Sequence, residues 1–579
     1  MRRLPLLPFL LGLCAVLLWN CTPGGDRVAG VDSVESARQA LEQTVLPRIG
    51  VGEDFISDEL ATRYTTDQIE DPLPDVNTFP LHGARPGGAN TVYLEIYSSS
   101  EKANVDRQNE RWLVEVADAF NQRQETLPSG EVIQVGVRQV ASGTAARLLG
   151  AGAVQPQGYS PSNDLWVAMV QDQGIDIVPV AARLVPNTAG WVVPKPVYDS
   201  LAENGTVSFD RLLNAIASGQ VTVAYPNPYS SSTALNLLYT LYWRAAGHQE
   251  NGGQLTVAEL QTPQVNSVFD QFQQQVLITT PTTLDLQELF LRDQSNLQAF
   301  PLEYQNYLAL REVPGFSDTE FVPFGVPHNN PLVGFSWNTP EQTAALRQFA
   351  QFAQSAEMRA LAQQQGFVET DYLKANQAPP FPSGETLLAA QSNWKLRKDG
   401  GRTVYMALVI DTSGSMEGER MQALKDGLRV AAGQINSGNY VSIVTFADNP
   451  TRRLPLAPFD QLQHQKFLAT IDNLRADGAT AMYDGAMVGL ADLLAQKERD
   501  PNGRFYLLLL SDGEVNRGYT FDAVQDILAY SDVRFYPIAY GEVSQDELQA
   551  IASLRESTVQ QGTPDNVQTL FKDLFQVNL

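Results

Sequence analysis

Cysteine is almost absent: two residues in 579. Both, Cys14 and Cys21, lie in or just after an apolar stretch from Leu4 to Trp19. Disulfides therefore cannot hold the rest of the chain together. Histidine is also scarce. His82, His248, His328 and His464 stand far apart, and no Ser/His/Asp order, paired-cysteine motif or Gly-Lys phosphate signature accompanies them. An enzyme is not expected, although distance in sequence does not exclude proximity in space. Positive charge is short too, with 40 Lys and Arg against 65 Asp and Glu, a net charge of −25. Without basic stripes, nucleic acid is not an expected partner. The excess acid is compatible with attracting cations, but a diffuse acidic surface mostly serves solubility. No repeat of solenoid period is present.

What is there fits an ordinary globular chain, 43% hydrophobic and 18% charged. Its length suits roughly three to four domains. Arg2 and Arg3 before the apolar stretch read as an export signal. Cys21 sits where a bacterial lipoprotein carries its lipid, although Leu18-Trp19-Asn20 departs from the small-residue pattern of such sites. The competing reading is an uncleaved anchor over residues 1–21, short for a span and interrupted by Pro5 and Pro8. Either tethers the N-terminus to a membrane and exports the bulk, to the periplasm or cell surface. Residues 22–90 read as a stalk with short ordered pieces. One is a helix spaced on Val34, Ala37, Leu41 and Val45; a small packed subdomain is the alternative.

The sharpest stretch is Val404 to Met416. Val404 to Ile410 is an apolar run that reads as a strand buried on both faces. It ends in Asp411-Thr412-Ser413-Gly414-Ser415, before a helix near Glu419. Thr480 stands in a loop before another helix, and the apolar run Phe505 to Leu510 ends in Ser511-Asp512-Gly513. Oxygen donors on several strand ends suit a hard divalent cation, magnesium before calcium. A single Asp-Ser-Gly loop is more often a turn or cap, and an aspartic-protease reading needs a second matched carboxylate in a mostly β chain. D-x-S-x-S, a later Thr and a later Asp-Gly resemble the metal-ion-dependent adhesion site of von Willebrand factor A-type domains, over about residues 402–579. The resemblance implies metal ligands Asp411, Ser413, Ser415, Thr480 and Asp512, a bound Mg2+ (or Mn2+ or Ca2+), and a protein partner that offers an Asp or Glu to the metal.

Upstream, three strands run through hydroxyl-rich loops into helices: Val92–Tyr97 into Ser98-Ser99-Ser100, Val132–Val140 into Ala141-Ser142-Gly143-Thr144, and Val221–Tyr225 into Tyr229 to Thr233. Converging helix N-termini would cradle an anion or a carboxylate-bearing molecule, while Ser and Thr are also the ordinary N-caps. With Asn187 to Pro194, Pro301-Leu302-Glu303-Tyr304 and a closing helix Pro340 to Gly366, this order resembles a two-lobed, type 2 bacterial extracellular solute-binding protein. That implies two α/β lobes over residues 91–374, crossing segments near 185–192 and 297–304, and cleft residues Ser99, Ser142, Ser231 and Tyr304. Glu303 is left to meet a cationic group or pair with a surface lysine. No arginine stands in these loops, so a neutral ligand or a small oxyanion remains open.

Residues 375–401, with Pro379-Pro380-Phe381-Pro382, read as a linker. The expected fold is thus α/β: a two-lobed periplasmic-binding-protein-like domain, then a doubly wound, mostly parallel sheet over 402–579. The expected function is binding at the cell envelope through the adhesion site, with a second module for a small solute. The alternative is the substrate-binding component of a transport system, docked by the C-terminal domain.

Overall fold

The computed structural model describes residues 27–66, 73–88, 90–280, 283–292, 295–370, 378–512, 514–541, 546–554 and 559–579. The apolar start and Cys21 lie outside the described residues. Among the described residues no helix is long and apolar enough to cross a membrane.

After a two-residue strand β1 (Gly52–Glu53), the first α/β region uses β2 (Leu81–Gly83), β3 (Thr91–Ser98), β4 (Val132–Gln139), β5 (Gly158–Ser160) and β6 (Ile177–Ala181). It continues through β7 (Ala189–Pro194), β8 (Val223–Pro226), β9 (Val276–Thr280), β10 (Phe300–Glu303), β11 (Thr319–Pro323) and β12 (Leu332–Phe335). The larger sheet has the order β2-β4-β3-β5-β12-β6. Its centre, β4-β3-β5, is parallel, as strand–helix alternation requires. β7 lies antiparallel between β10 and β11 in a second, three-stranded sheet. β7 and β10 therefore occupy the two segments expected to cross between lobes. The expected closing helix is two, Pro340–Ala353 and Ala356–Gln364, because Ser355 caps the second.

The C-terminal region adds β13 (Val404–Asp411), β14 (Tyr440–Phe446), β15 (Pro450–Pro458), β16 (Arg504–Ser511), β17 (Arg534–Tyr540) and β18 (Gln560–Gly562), in the order β1-β15-β14-β13-β16-β17-β18. β13 is buried along its whole length, parallel to β14 and β16. Its side chains alternate. Met406, Leu408 and Ile410 pack with Leu424, Leu428 and Phe571 on one face. Tyr405, Ala407 and Val409 pack with Met487 and Leu490 on the other. Two apolar faces need helices on both sides. β15 is antiparallel to β14 and was not legible: Pro450, Pro455 and Pro458 with Arg452 and Arg453 break the strand pattern. Prolines are tolerated near a sheet margin.

Two stretches differ from expectation. Residues 27–66 do not stand off as a stalk. Val28, Val31, Ala37, Leu41 and Val45 are buried against the C-terminal region, β1 pairs with β15, and Arg27 bonds Asp526 at 2.6 Å. Residues 378–401 are not simply an extended linker. They contain a helix, Gly384–Arg397, whose Leu387, Ala390 and Trp394 are fully buried in the first region's core. Apolar surface on these segments is withdrawn from water, which a solvated tether cannot do.

Candidate metal centre and solute cleft

β13 and β16 end side by side, so their terminal acids meet. Asp411 and Asp512 are 0% and 3% exposed. The Ser415 hydroxyl donates to Asp512 Oδ1 at 2.6 Å and lies 3.0 Å from the Ser413 hydroxyl. Asp411 accepts from the Ser413 amide at 2.8 Å and from the Ser511 hydroxyl at 2.7 Å. The Thr480 loop is tied to the Asp411 loop by two backbone bonds, Gly414 N–H to Gly478 O at 3.0 Å and Asp477 N–H to Thr412 O at 2.8 Å. The Thr480 amide itself donates to Asn516. The five expected residues thus stand on three loops that are bonded to one another, although Gly513 lies outside the described residues. Burial pushes the Asp411 carboxyl up. Hydrogen bonds from Ser413 and Ser511 oppose that, and the charge of Asp512 adds to it.

Two carboxylates and three hydroxyls, all oxygen, fit a hard divalent cation that retains water ligands. No cluster of three or more His, Cys, Asp or Glu is placed for a metal among the described residues. The sequence reading missed two neighbours. Ser511 orients Asp411, and Arg420 Nη1 reaches Asp512 Oδ2 at 2.6 Å. Arg420 lies one residue into the helix Glu419–Ala432, and only the fold shows that this turn overhangs β16.

In the first region, a cleft of about 260 Å3 is lined by Glu101, Arg107, Ser142, Ser231 and Asn306 among others. Ser142 and Ser231 therefore lie where expected. Ser231 also caps the helix Ser232–Ala245 through Ala234 N–H at 3.3 Å. Ser99 is buried, and its hydroxyl accepts from Lys102 Nζ at 2.6 Å. Tyr304 is outside the lining and packs on Phe321, ring centroids 5.0 Å apart. Two of the expected N-termini butt together. Gly143 N–H donates to Ser230 O at 3.2 Å, and a Cβ on Gly143 would overlap the Tyr229 carbonyl oxygen.

Glu303 is turned inward and pairs with a histidine, not with a surface lysine. It is 2% exposed and bonds His328 Nδ1 at 2.6 Å. His328 Nε2 faces the amide groups of Asn236 and Asn163 at 2.9 and 3.1 Å. The Asn236 carbonyl is fixed by Val326 N–H. With two amide donors on Nε2, the proton of a neutral ring sits on Nδ1 and is donated to Glu303. Arg107 enters the cleft unannounced by the loops, but it pairs with Glu110 at 3.3 Å. Glu101 accepts from the Ser162 hydroxyl at 3.0 Å.

Comparison with known proteins agrees with this division. Residues 406–573 match the family model of the von Willebrand factor type A domain, and residues 107–368 match that of the bacterial extracellular solute-binding protein. Over 176 residues the chain is 25% identical to an uncharacterized protein of Synechocystis, covering 30% of this chain and 40% of that one. Over 117 residues it is 31% identical to inter-alpha-trypsin inhibitor heavy chain H4 of Sus scrofa, covering 19% and 12%. The chain spans less than half the length of these curated relatives. Among solved structures, a von Willebrand factor type A protein of Catenulispora acidiphila is 22% identical over 30% of this chain and 42% of that chain, with a TM-score of 0.28. The sulfate-binding protein SubI of Mycobacterium tuberculosis is 14% identical over 52% and 96%, TM-score 0.34. Iron-bound HitA of Pseudomonas aeruginosa is 13% identical over 54% and 99%, TM-score 0.36.

Proposed function

We propose that this chain, a bacterial extracellular solute-binding region joined to a von Willebrand factor type A domain, is an exported binding protein that grips a protein partner through a divalent cation. The observation that carries the reading is the bonded cluster of Ser413, Ser415 and Asp512 beside Asp411 at adjacent strand ends. Asp411, Ser413, Ser415, Thr480 and Asp512 would hold Mg2+, or Mn2+ or Ca2+ in its place. When bound, the cation supplies a coordination position that a partner's Asp or Glu carboxylate fills. Asp411 and Asp512 supply the negative charge. The hydroxyls supply neutral oxygen without further charge, which leaves the ion electrophilic. Ser511 and the Ser413 amide hold the Asp411 carboxylate in one orientation.

The solute region takes a small ligand. A cleft of about 260 Å3 is just under the usual range of small-molecule sites. Its arginine is already matched by Glu110, and Glu101 adds a carboxylate, which favours a neutral or cationic polar solute over an oxyanion. The same cleft keeps the transport reading open, and co-purification with a membrane permease would support it. We assign the membrane tether to the first 21 residues, with Cys21 as lipid acceptor; a Cys21→Ser chain that stays in the membrane fraction would remove the lipid role and leave the uncleaved anchor.

The test is native mass spectrometry of residues 22–579, a span that leaves out Cys21, with and without Asp411→Ala. One divalent cation is expected on the first and none on the second. Equal magnesium binding by both would refute the metal site. A further small mass on both forms would identify the solute.

A further inference from the structure

At the pole of the C-terminal sheet opposite Asp411 and Asp512, we propose a second binding site, for a small polyanion with two or more phosphate-type groups. Arg504 opens β16, Arg534 opens β17, and Arg402 stands just before β13. The strand register sets Val404 beside Arg504 and Tyr506 beside Arg534. Three guanidiniums are therefore gathered at the amino ends of three adjacent parallel strands. They line a groove of about 910 Å3 with Lys497, and the first region closes its other side through Thr222 and the Gln274–Leu277 segment.

The charge of this groove runs against the chain. Of its lining residues, Arg402, Lys497, Arg504 and Arg534 are cationic, and Asp532 alone is acidic. Asp532 sits 2.8 Å from Lys497. The nearby Asp399 sits 2.8 Å from Lys398. With Lys398 and Asp399 counted, five cationic groups stand against two acids, in a protein whose overall charge is −25. Arg504 is 8% exposed, and its Nε is buried with no hydrogen-bond partner. The field is felt by neighbours. Burial, then Arg504, pushes the Arg402 guanidinium down to about 10. Against the upward push of burial, Arg504 and Arg534 hold the Tyr506 phenol below its ordinary value.

Like charges gathered at a dry margin repel, and a bound anion relieves them. Guanidinium forks match tetrahedral oxyanions two bonds at a time. The groove has more room than one phosphate needs and falls within the range of small-molecule sites. The site is independent of the metal reading, because it shares no residue with it.

The experiment is calorimetric titration of the full chain, in EDTA and at matched ionic strength, with pyrophosphate and separately with adenosine diphosphate. Saturable binding is expected, at least tenfold weaker in Arg402→Gln and in Arg534→Gln and unchanged in Arg123→Gln, a distant surface control. Preference for the nucleotide over pyrophosphate would assign the phosphates to a nucleotide; the reverse would assign them to a free polyphosphate. Arg504 is left intact because it is buried and bonds Gln273 O and Val276 O at 3.0 and 3.1 Å; Arg402 also bonds carbonyls, Asp399 O at 3.1 Å and Gln273 O at 3.3 Å, but is the more exposed of the two. If Arg534→Gln does not fold, Lys497→Gln takes its place, with weakened binding again expected. No saturable heat with either probe on the unaltered chain, or binding indifferent to these substitutions, overturns the site.

Discussion

Arg420 is the residue with the most to say about the metal centre. Its guanidinium lies on Asp512 Oδ2, a carboxylate that the proposed cation would also need. Two unit positive charges about 4 Å apart repel by roughly 1–4 kcal/mol between water and a protein surface; a divalent ion doubles that, and the part-exposed arginine side chain (37%) puts the effect at the low end. Arg420→Gln should therefore tighten Mg2+ binding several-fold in a calorimetric titration. Weaker binding would mean that the guanidinium holds Asp512 in place instead of competing for it. Lys102 is the corresponding residue of the solute region. It is fully buried, with Ser99, Asn330 and the carbonyls of Ser160 and Pro161 around its ammonium. Burial pushes it down to about 8, opposed by Glu101 and Glu303. Its folded value lies below its unfolded one, so between pH 8 and about 10.5 the unfolded chain binds the extra proton. Its contribution to stability rises over that window, by on the order of 3 kcal/mol in all. Against Lys102→Met, denaturant midpoints of the unaltered chain should gain with pH from 8 upward; a constant difference would show that Lys102 does not titrate there.

At the scale of elements, the helix Gly384–Arg397 matters most. Trp394 is fully buried, donates its Nε1–H to the Tyr225 hydroxyl at 2.7 Å and packs on Tyr229. Trp394→Ala should cost about 3–5 kcal/mol, read as a lowered melting temperature, and the variant's cleft loop at Tyr229–Ser231 should exchange amide hydrogen faster. Unchanged exchange would mean that the helix does not brace the cleft. This helix shows why part of the fold escaped the sequence. Its buried side includes Gln391 and Asn393, which bond Pro228 O and the Tyr242 hydroxyl, so no apolar stripe marks it, and the prolines before it read as a linker. The Asp411 and Asp512 loops were legible because each is local, an apolar run that stops at an abrupt acid, and the Thr480 loop showed as a hydroxyl just before a helix. Arg420 and Ser511 were not, because their roles depend on which strand ends lie side by side. The cleft fell between the two cases. Ser142 and Ser231 are marked by their loops, whereas Arg107 and the Glu303–His328 pair are joined only by the crossing of distant segments.

For the whole molecule, the question is whether the two regions unfold as one. Lys395, on the helix that joins them, donates to Phe575 O at 3.1 Å and Gln576 O at 2.9 Å. Those carbonyls belong to the last helix, Val567–Asn578, whose C-terminal end favours a cation. Asn227, in the loop leading to the cleft, donates to the Gln576 side chain at 2.8 Å, and Arg504 bonds two carbonyls of the first region. From the other direction, residues 27–66 pack on the C-terminal sheet before the chain enters the first one through β2 and β3. The chain thus passes from the second region's surface into the first and back, with buried polar bonds at the return. Removing one partner of such a bond leaves the other unsatisfied at a cost of about 1–3 kcal/mol. Scanning calorimetry of the full chain should show a single transition, and Lys395→Ala with Asn227→Ala should split it into two. Added magnesium should then raise only the C-terminal transition of that variant, by mass action on the folded metal site. Two transitions in the unaltered chain would mean that the regions are tethered without being thermodynamically coupled.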